Sequence, residues 1–335
     1  MNEMQTVEGL ILGNGANGAN SAYGTVAQRL LTNGMNINAL RTNDVLHKED
    51  WMQFDRTVVD IARAALVGVA DLMANGLTYP IAGAMGVTVV QHETVSDMTD
   101  ATVDMSGLAP TERDRVNLNL VNVPLPIFHK DFQLSLRNLM SGRRSGNPID
   151  TTMAATATRR VADLMEQVLF KGATLQSGGG NIYGYTTHPN RNTGSVTATW
   201  VTTTGDNILT DTVAMIGAAN ADNMYGPYML YVPIAVYVNL LKDFKAASDK
   251  TTLQRLLEIP VIKGIKATSQ LTVSNVVLVQ FAKDTVDWLD GQQPTVVMWE
   301  TNGGMMLNFK VLAIGAPRIK ADGSASPNCG IVHYS

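Results

Sequence analysis

An amphipathic helical pattern begins at Lys48. Between Lys48 and Asn75, apolar residues recur at steps of three and four, which places them on one face of an α-helix. Asn75-Gly76 follows the last of them, and these residue types commonly end helices. The pattern therefore predicts one helix over residues 48–75. Its apolar face consists of Trp51, Phe54, Val58, Ile61, Ala65, Val69 and Leu72.

Residues 80–126 change from a helical to an alternating pattern. Val87–Val90 has the composition of a strand, and apolar residues alternate with asparagines over 116–123. Two strands with a polar stretch between them predict a long β-hairpin. Because an isolated two-stranded ribbon is only marginally stable, we expect it to lie on another surface. The acidic residues singled out at its tip are Asp97, Asp100 and Asp104.

The longest predicted helix follows Asn147-Pro148. Asn is a preferred N-cap, and Pro fits the first helical position because its missing N–H is not needed there. Lys171-Gly172 supplies a cation and a stop at the other end, so the helix would be roughly 24 residues or about 36 Å long. Asp150 and Glu166 are expected on its solvated face rather than as a catalytic pair. The predicted buried face consists of Met153, Ala157, Val161, Leu164 and Val168.

The remainder of the chain mixes helical and strand patterns, which predicts an α+β fold. No period of about 20 to 50 residues recurs, so a solenoid or a propeller is excluded. The predicted helices cover 206–220, 233–245 and 251–258, and the predicted strands cover 228–232, 276–281, 285–289, 295–300 and 305–314.

Residues 1–46 are rich in glycine and asparagine and bury little for their length, which predicts an extended arm. Gly13–Gly18 reads G-x-G-x-x-G, the fingerprint of a dinucleotide site. Such a site also needs a second strand and an acidic residue about 20 residues later, and Asp44 lies outside any predicted strand. The flexible arm is therefore the favoured interpretation, and a nicotinamide-dependent enzyme stays as an alternative.

Composition favours a subunit that hides surface against partners. Hydrophobic residues make up 45% of the chain, charged residues only 16%, and the formal net charge is −4. The negative charge argues against general nucleic-acid binding, which needs a basic surface. The single cysteine, Cys329, excludes an internal disulfide, and the five histidines have no metal-ligand spacing, so neither a metal nor a cofactor is expected.

No segment predicts secretion or membrane insertion. Met1–Gln5 lacks the basic start of a signal peptide, and the most apolar window, Ile61–Met73, carries Arg63 and Asp71. We therefore expect no membrane association.

A compact basic segment lies between the hairpin and the long helix. Arg143 and Arg144 are flanked by Ser-Gly pairs, which predicts a loop. This loop is either a solvated turn or a partner for the acidic hairpin tip of a neighbouring subunit. Exposed ion pairs contribute little individually, but they repeat many times in a symmetric assembly.

The order of these elements resembles the Hong Kong 97 fold, and within it the branch shared by encapsulins and related phage capsids. The resemblance covers about residues 46–320 and rests on short collinear motifs. Leu46–Trp51 is similar to the opening helix of encapsulins, and Tyr225–Leu230 resembles the strand that enters the A-domain. The other matching stretches are Pro124–Phe128, Phe132–Leu134, Ala162–Gly172, Tyr183–Tyr185, Asn308–Val311 and Ala316–Ile319.

The resemblance implies a division of the chain into the parts of that fold. These are an N-arm (1–46), an N-terminal helix region (47–79), an E-loop hairpin (80–126), a P-domain with a long spine helix (127–205), an A-domain (206–292), and a return to the P-domain with the C-terminus (293–335). It also suggests Lys245 and Lys250 near the capsomer pore, beside the inter-subunit candidates Asp97, Asp100, Asp104, Arg143 and Arg144.

The function that the resemblance implies is structural and not enzymatic. The chain is expected to be the major capsid protein of a tailed bacteriophage, forming hexamers and pentamers of itself in an icosahedral virion shell assembled in the host cytoplasm. The arm before Trp51 favours this over an encapsulin nanocompartment enclosing a cargo enzyme, which is the alternative. The shell would enclose DNA without reading its sequence, and no covalent cross-link between subunits is expected. A separate scaffolding protein, a portal and an optional decoration protein are the implied partners.

Overall fold

The computed structural model describes residues 48–335 apart from 97, 99–100, 102, 104, 106–114, 145–150, 176–179, 246–248 and 322–327. The predicted arm over 1–46, the glycine fingerprint, and Asp97, Asp100 and Asp104 lie outside the described residues. The same holds for Asn147-Pro148 and Asp150.

The described elements confirm the α+β class. The helices are α1 (Lys48–Ala65), α2 (Gly68–Ala74), α3 (Leu136–Arg144), α4 (Thr152–Lys171), α5 (Gly205–Ala221), α6 (Ile234–Leu240) and α7 (Thr252–Leu257). The strands are β1 (Thr78–Pro80), β2 (Val89–Val95), β3 (Leu118–Pro124), β4 (Ile127–Ser135), β5 (Ala173–Leu175), β6 (Gly180–Ile182), β7 (Asn192–Gly194), β8 (Tyr228–Pro233), β9 (Ile262–Thr268), β10 (Val276–Gln280), β11 (Val286–Thr301), β12 (Met306–Ile319) and β13 (Ile331–Tyr334).

The predicted single helix over 48–75 is wrong, because it is interrupted after Ala65. α1 and α2 are separate helices, and the backbone N–H groups of Val67 and Gly68 point at the side chain of Glu166 instead of continuing one helix. The end of α2 is as predicted: Asn75 is the C-cap, and Gly76 has a φ of 69°.

α4 is the longest helix among the described residues, and the sequence predicts its end better than its start. It begins at Thr152 rather than at Pro148, with Thr151 as N-cap. It ends at Lys171 as predicted, because Gly172 has a φ of 71° and a side chain there would collide with the carbonyl oxygen of Ile182.

The predicted buried face of α4 is only partly right. Met153 and Leu164 are 47% and 43% exposed, so these two assignments are wrong. Both lie one position away from the stripe that packs. Their neighbours Ala154 and Met165 are buried instead, and small alanines allow the facing elements to approach closely. The observed buried stripe is Ala154, Ala157, Val161, Ala162, Met165, Val168 and Leu169.

A four-stranded sheet in the order β1-β11-β12-β4 carries α1 and α4 on one face. The predicted strands 285–289 and 295–300 are one strand, β11, with register irregularities between Asp290 and Thr295. β12 continues to Ile319 rather than ending at 314, because β11 pairs with it along its whole length. β11 therefore crosses the predicted domain boundary at 292, and the domain division itself stays a prediction.

A five-stranded sheet in the order β7-β13-β10-β8-β9 forms the second half of the molecule. The predicted helix over 206–220 and strand over 228–232 are confirmed as α5 and β8, whereas α6 stops at Leu240, five residues before the predicted end. The C-terminal strand β13 pairs with β10 in this sheet.

The five-stranded sheet is packed on both faces. One face packs with α4 and the four-stranded sheet, where Tyr231 makes edge contacts with Phe170 at 5.2 Å between ring centroids. The other face is covered by α5, α6 and α7, with Trp200 and Tyr228 among the fully buried side chains. This double cover explains why all six residues of β8 are buried.

Candidate inter-subunit surfaces

The described residues contain no cluster of three or more His, Cys, Asp or Glu side chains that could hold a metal ion. In the same part of the chain, no helix is long and apolar enough to cross a membrane. Two kinds of feature are described below: the exposed β2–β3 ribbon, and buried charged side chains that connect helices and strands distant in sequence.

The predicted hairpin is confirmed as an antiparallel ribbon formed by β2 and β3, whose register runs from Val89–Pro124 to Val95–Leu118. The ribbon pairs with no other strand within the described ranges. Its root packs through Val90 and Val123 against a small apolar cluster of Ala84, Leu125, Leu289, Ile314 and Ala316.

An apolar patch lies on the outer face of the ribbon, away from its root. Side chains alternate between the two faces of a strand, so Leu118 and Leu120 share one face, and Val95 lies directly opposite Leu118. These three side chains are 52% (Val95), 61% (Leu118) and 64% (Leu120) exposed. We call them the distal apolar patch.

Sequence reasoning found the strands of the ribbon but not this patch. The alternation of leucines and valines with asparagines over β3 predicts a strand, but it does not say which face the molecule covers. The length of the predicted hairpin does indicate exposed apolar surface, because a two-stranded ribbon that packs on the body only at its root leaves one face uncovered.

The predicted basic loop is wrong in its local structure. Arg143 and Arg144 lie in the last turn of α3, not in a loop. Leu139 is buried and anchors this helix, which outweighs the cost of about 1 kcal/mol for Gly142 in a helix. Arg144 is exposed. Because the acidic partners proposed for this pair lie outside the described residues, the pairing stays a prediction.

Lys245 and Lys250 lie between α6 and α7 in the five-stranded half. The N–H of Phe244 donates to the Lys250 carbonyl at 3.0 Å. Lys245 Nζ lies 3.0 Å from a carboxylate oxygen of Asp206, and Lys250 pairs with Glu258.

Both lysines therefore have acidic partners in their own subunit. Glu258 also accepts a bond from Arg255 at 2.8 Å, and the hydrogen bonds from Lys250 and then Arg255 lower the pKa of Glu258. The proposed role of these lysines at a capsomer pore stays a prediction.

Glu166 is buried, which corrects its predicted position on a solvated face. Its Oε1 accepts from the N–H groups of Val67 and Val69 at 2.8 and 3.0 Å, and its Oε2 accepts from Gly68 at 3.1 Å. Glu166 thus joins α4 to the break between α1 and α2. Burial raises the pKa of Glu166 to about 7, although the three N–H donors act in the opposite direction.

Asp71 of α2 connects this region to the five-stranded sheet. It accepts from the Tyr231 hydroxyl at 3.1 Å and from Lys266 Nζ at 2.8 Å. Three elements far apart in sequence, α2, β8 and β9, are therefore tied at one point. No local pattern in the sequence indicates either Glu166 or Asp71, because their partners lie roughly a hundred or more residues away.

A second buried ionic group lies in the four-stranded sheet, near the root of the ribbon. Asp287 accepts from Arg318 Nε at 2.8 Å and from Nη2 at 2.5 Å, and Lys320 Nζ lies 3.0 Å away. The Arg318 guanidinium also lies 4.6 Å above the Tyr79 ring. Burial, followed by the positive charges of Arg318 and Lys320, lowers the pKa of His92 of β2.

A family model that describes a family of unknown function, DUF6260, matches residues 38–326. The chain belongs to this family. The match covers the ribbon, α4, the whole four-stranded sheet and every strand of the five-stranded sheet except β13.

One curated relative is the type 1 encapsulin shell protein EncA of Myxococcus xanthus. It is 28% identical over 127 residues, which are 38% of this chain and 42% of the relative. The matched segment therefore spans less than half the length of that relative.

Solved structures show the fold. A virus-like particle protein from Pyrococcus furiosus aligns with a TM-score of 0.62 at 16% identity, covering 86% of this chain and 99% of that one. The capsid of Myoviridae phage XM1 aligns at 0.57 with 12% identity, covering 74% and 86%. The capsid of a native GTA particle aligns at 0.57 with 11% identity, covering 81% of this chain and 91% of that one. The chain has the Hong Kong 97 fold, and the predicted likeness to its encapsulin-like branch is confirmed.

Proposed function

We propose that this chain is a non-enzymatic shell subunit that assembles with copies of itself into the closed icosahedral head of a tailed bacteriophage. The observation that carries the proposal is the distal apolar patch, which no described part of the chain covers. A second copy of the chain is the proposed cover. The fold shared with capsid and particle proteins supports this choice.

The energetics of such a contact favour assembly. Fully burying a leucine or valine side chain contributes about 1.5–3 kcal/mol. The patch offers three such side chains in every subunit, and obligate interfaces commonly bury about 2,000–5,000 Å² in total. A chain with 16% charged residues also has little charge to remove from water when large surfaces close.

In this proposal the parts of the chain have mechanical roles. The ribbon is the E-loop (80–126), the four-stranded half forms the P-domain with α4 as its spine, and the five-stranded half forms the A-domain with Lys245 and Lys250 near the pore. The arm over 1–46 ties neighbours together, and Arg143 and Arg144 meet the acidic residues of another subunit's ribbon. A scaffolding protein, a portal and an optional decoration protein complete the assembly around DNA in the host cytoplasm.

A double substitution on the ribbon tests this proposal. Leu118→Lys with Leu120→Lys places two charges in the proposed contact, and we expect at least a tenfold loss of closed shells by electron microscopy and mass photometry. Gln91→Lys is the matched control, because Gln91 lies on the same face of the ribbon nearer its root and is polar. This control should assemble like the wild type.

The wild-type result decides the proposal itself. Closed shells, or pentamers and hexamers, support a shell subunit. A stable monomer or dimer, even with a scaffolding protein supplied, would exclude it. If shells form and the double variant assembles as well as the wild type, the patch is not the contact.

A second candidate, an encapsulin nanocompartment, is favoured by the partial match to EncA. The contents of particles purified from the native source separate the two functions. Packaged DNA supports the phage head, whereas an enclosed enzyme with little nucleic acid supports the nanocompartment.

A further inference from the structure

An uncharged helix face lies on the surface of the five-stranded half. α6 contains no charged residue, and three of its large apolar side chains face solvent. Ile234, Val238 and the C-cap Leu241 are spaced by four and then three residues, so they lie on one side of the helix. They are 55%, 59% and 52% exposed. We call these three side chains the α6 stripe.

Contacts within the subunit fix the direction in which the α6 stripe points. On the opposite side of the helix, Val236 and Leu240 are fully buried. The side-chain amide of Asn239 donates to the carbonyl oxygens of Trp200 and Thr203, at 2.8 and 3.2 Å. α6 therefore cannot turn its stripe inward without losing these buried contacts. Since a surface helix normally carries polar residues on its outer face, the stripe indicates a second surface that covers it.

The charges beside the α6 stripe balance one another. Residues 242–258 contain four Lys or Arg and three Asp or Glu, and Asp206 supplies a fourth carboxylate, 3.0 Å from Lys245 Nζ. The N–H of Thr252 donates to the Lys242 carbonyl at 3.0 Å, which holds this segment at the C-terminal end of the stripe. A second copy of the chain carries the same charges, so a net charge here would repel it. The balance favours a second copy over a strongly charged partner.

The size of the α6 stripe favours a contact that is repeated around a ring. Three half-exposed side chains fill only a small part of the roughly 1,200 Å² or more that a specific, stable interface buries in total. In a ring, each subunit makes the same contact on two sides, so several small contacts hold every copy in place. The stripe therefore suits a ring of copies better than one separate partner.

We propose that the α6 stripe packs against a neighbouring copy of this chain within a pentamer or hexamer. This inference rests on the proposed shell function, and it adds a second contact to that of the distal apolar patch. The stripe directly precedes the segment that carries Lys245 and Lys250, whose proposed position is near the capsomer pore. Neighbouring subunits come close together around such an axis.

Thiol labelling tests this contact directly. In Val238→Cys, the new thiol should react with a polar maleimide at least about tenfold more slowly in capsomers or shells than in unassembled subunits. The native Cys329 is buried and is the internal control, because it should stay unreactive in both states. Equal reaction rates at position 238 in both states would overturn the proposal. Protection only in particles that retain a second protein would overturn it as well, because that protein would then cover the stripe.

A matched pair of substitutions tests whether assembly needs the α6 stripe. Val238→Lys should lower the fraction of pentamers and hexamers at least about tenfold in mass photometry, because it places a charge in the apolar contact. Val213→Lys is the control, since Val213 of α5 is 55% exposed and lies outside the stripe. We expect this control to assemble to within about twofold of the wild type. A loss for Val238→Lys no larger than that for Val213→Lys would contradict the proposal.

The stripe contact and the shell function fail in different ways. A wild-type chain that stays monomeric or dimeric, even with a scaffolding protein supplied, would exclude the shell function and the stripe contact together. If wild-type shells form while the thiol at position 238 stays reactive, only the stripe contact is wrong. The same holds if shells form and Val238→Lys yields as many pentamers and hexamers as the wild type.

Discussion

Replacing Glu166 with alanine is expected to lower the free energy of unfolding by about 3–5 kcal/mol, because it strands buried backbone donors that each cost about 1–3 kcal/mol when unpaired. The carboxylate serves three N–H groups at the break between α1 and α2, and the alanine leaves a void as well. Urea denaturation of the unassembled subunit measures the change.

Gln167→Ala is the matched control on the same helix, because Gln167 is exposed and adjacent in sequence. We expect it to change the free energy of unfolding by less than about 0.5 kcal/mol. A loss for Glu166→Ala no larger than the control would show that Glu166 does not join α4 to the α1–α2 break.

The pH dependence of stability provides an independent test of Glu166. Burial raises its pKa from 4.5 to about 7 in the folded chain, so between these values the folded state binds more protons than the unfolded state. The contribution of Glu166 protonation to the free energy of unfolding is therefore complete below about pH 4.5 and is lost as the pH rises through about 7.

Glu166→Gln removes this titration. The stability of the wild type relative to Glu166→Gln should fall between about pH 5 and about pH 8. A constant difference over this interval, with a rise between about pH 3 and about pH 4.5 instead, would show that the three N–H donors, rather than burial, dominate the pKa of Glu166.

Replacing Asp287 with alanine is expected to cost about 3–5 kcal/mol, because it leaves the buried guanidinium of Arg318 without its carboxylate. Asp287 also pairs with Lys320, but that lysine is partly exposed and donates to the Lys283 carbonyl, so most of the loss belongs to Arg318. Asp284→Ala, an exposed carboxylate on the preceding loop, is the control and should change little.

A double variant shows whether Asp287→Ala is unstable because it leaves the charge of Arg318 unpaired or because the Asp287–Arg318 ion pair is itself lost. Asp287→Leu with Arg318→Met replaces both charges by apolar side chains, and buried pairs often tolerate such replacement without loss of stability. We expect this double variant to recover most of the stability lost in Asp287→Ala. If the double variant is as unstable as Asp287→Ala, the attraction between Asp287 and Arg318 exceeds the cost of burying their charges, and the ion pair makes a net contribution to the stability of the sheet.

The two joints connect different parts of the molecule. Glu166 and Asp71 tie α4, α2 and the five-stranded sheet together, while Arg318 and Asp287 lie beneath the root of the ribbon. In the proposed shell these joints would set the angle between the two halves and the direction of the ribbon. Substitutions there are therefore expected to change assembly as well as stability.

The sequence determined the elements whose signals are local. The arms of the ribbon, α5, β8 and the end of α4 at Gly172 were predicted because alternation, helical period and a positive-φ glycine act within a few residues. Their collinear order also carried the resemblance to the Hong Kong 97 fold. Errors of a few residues at helix ends, as in α6, arise where the stop depends on packing.

Which side chains these elements bury depends on contacts between distant parts of the chain. The break after Ala65 and the burial of Glu166 depend on each other across 99 residues, and neither half of the pair shows an unusual local pattern. The continuity of β11 depends on its pairing with β12, which overrides the irregularity near Asp290. The uncovered face of the ribbon depends on the direction in which its root leaves the body, because alternation along a strand defines two faces but does not say which one is buried.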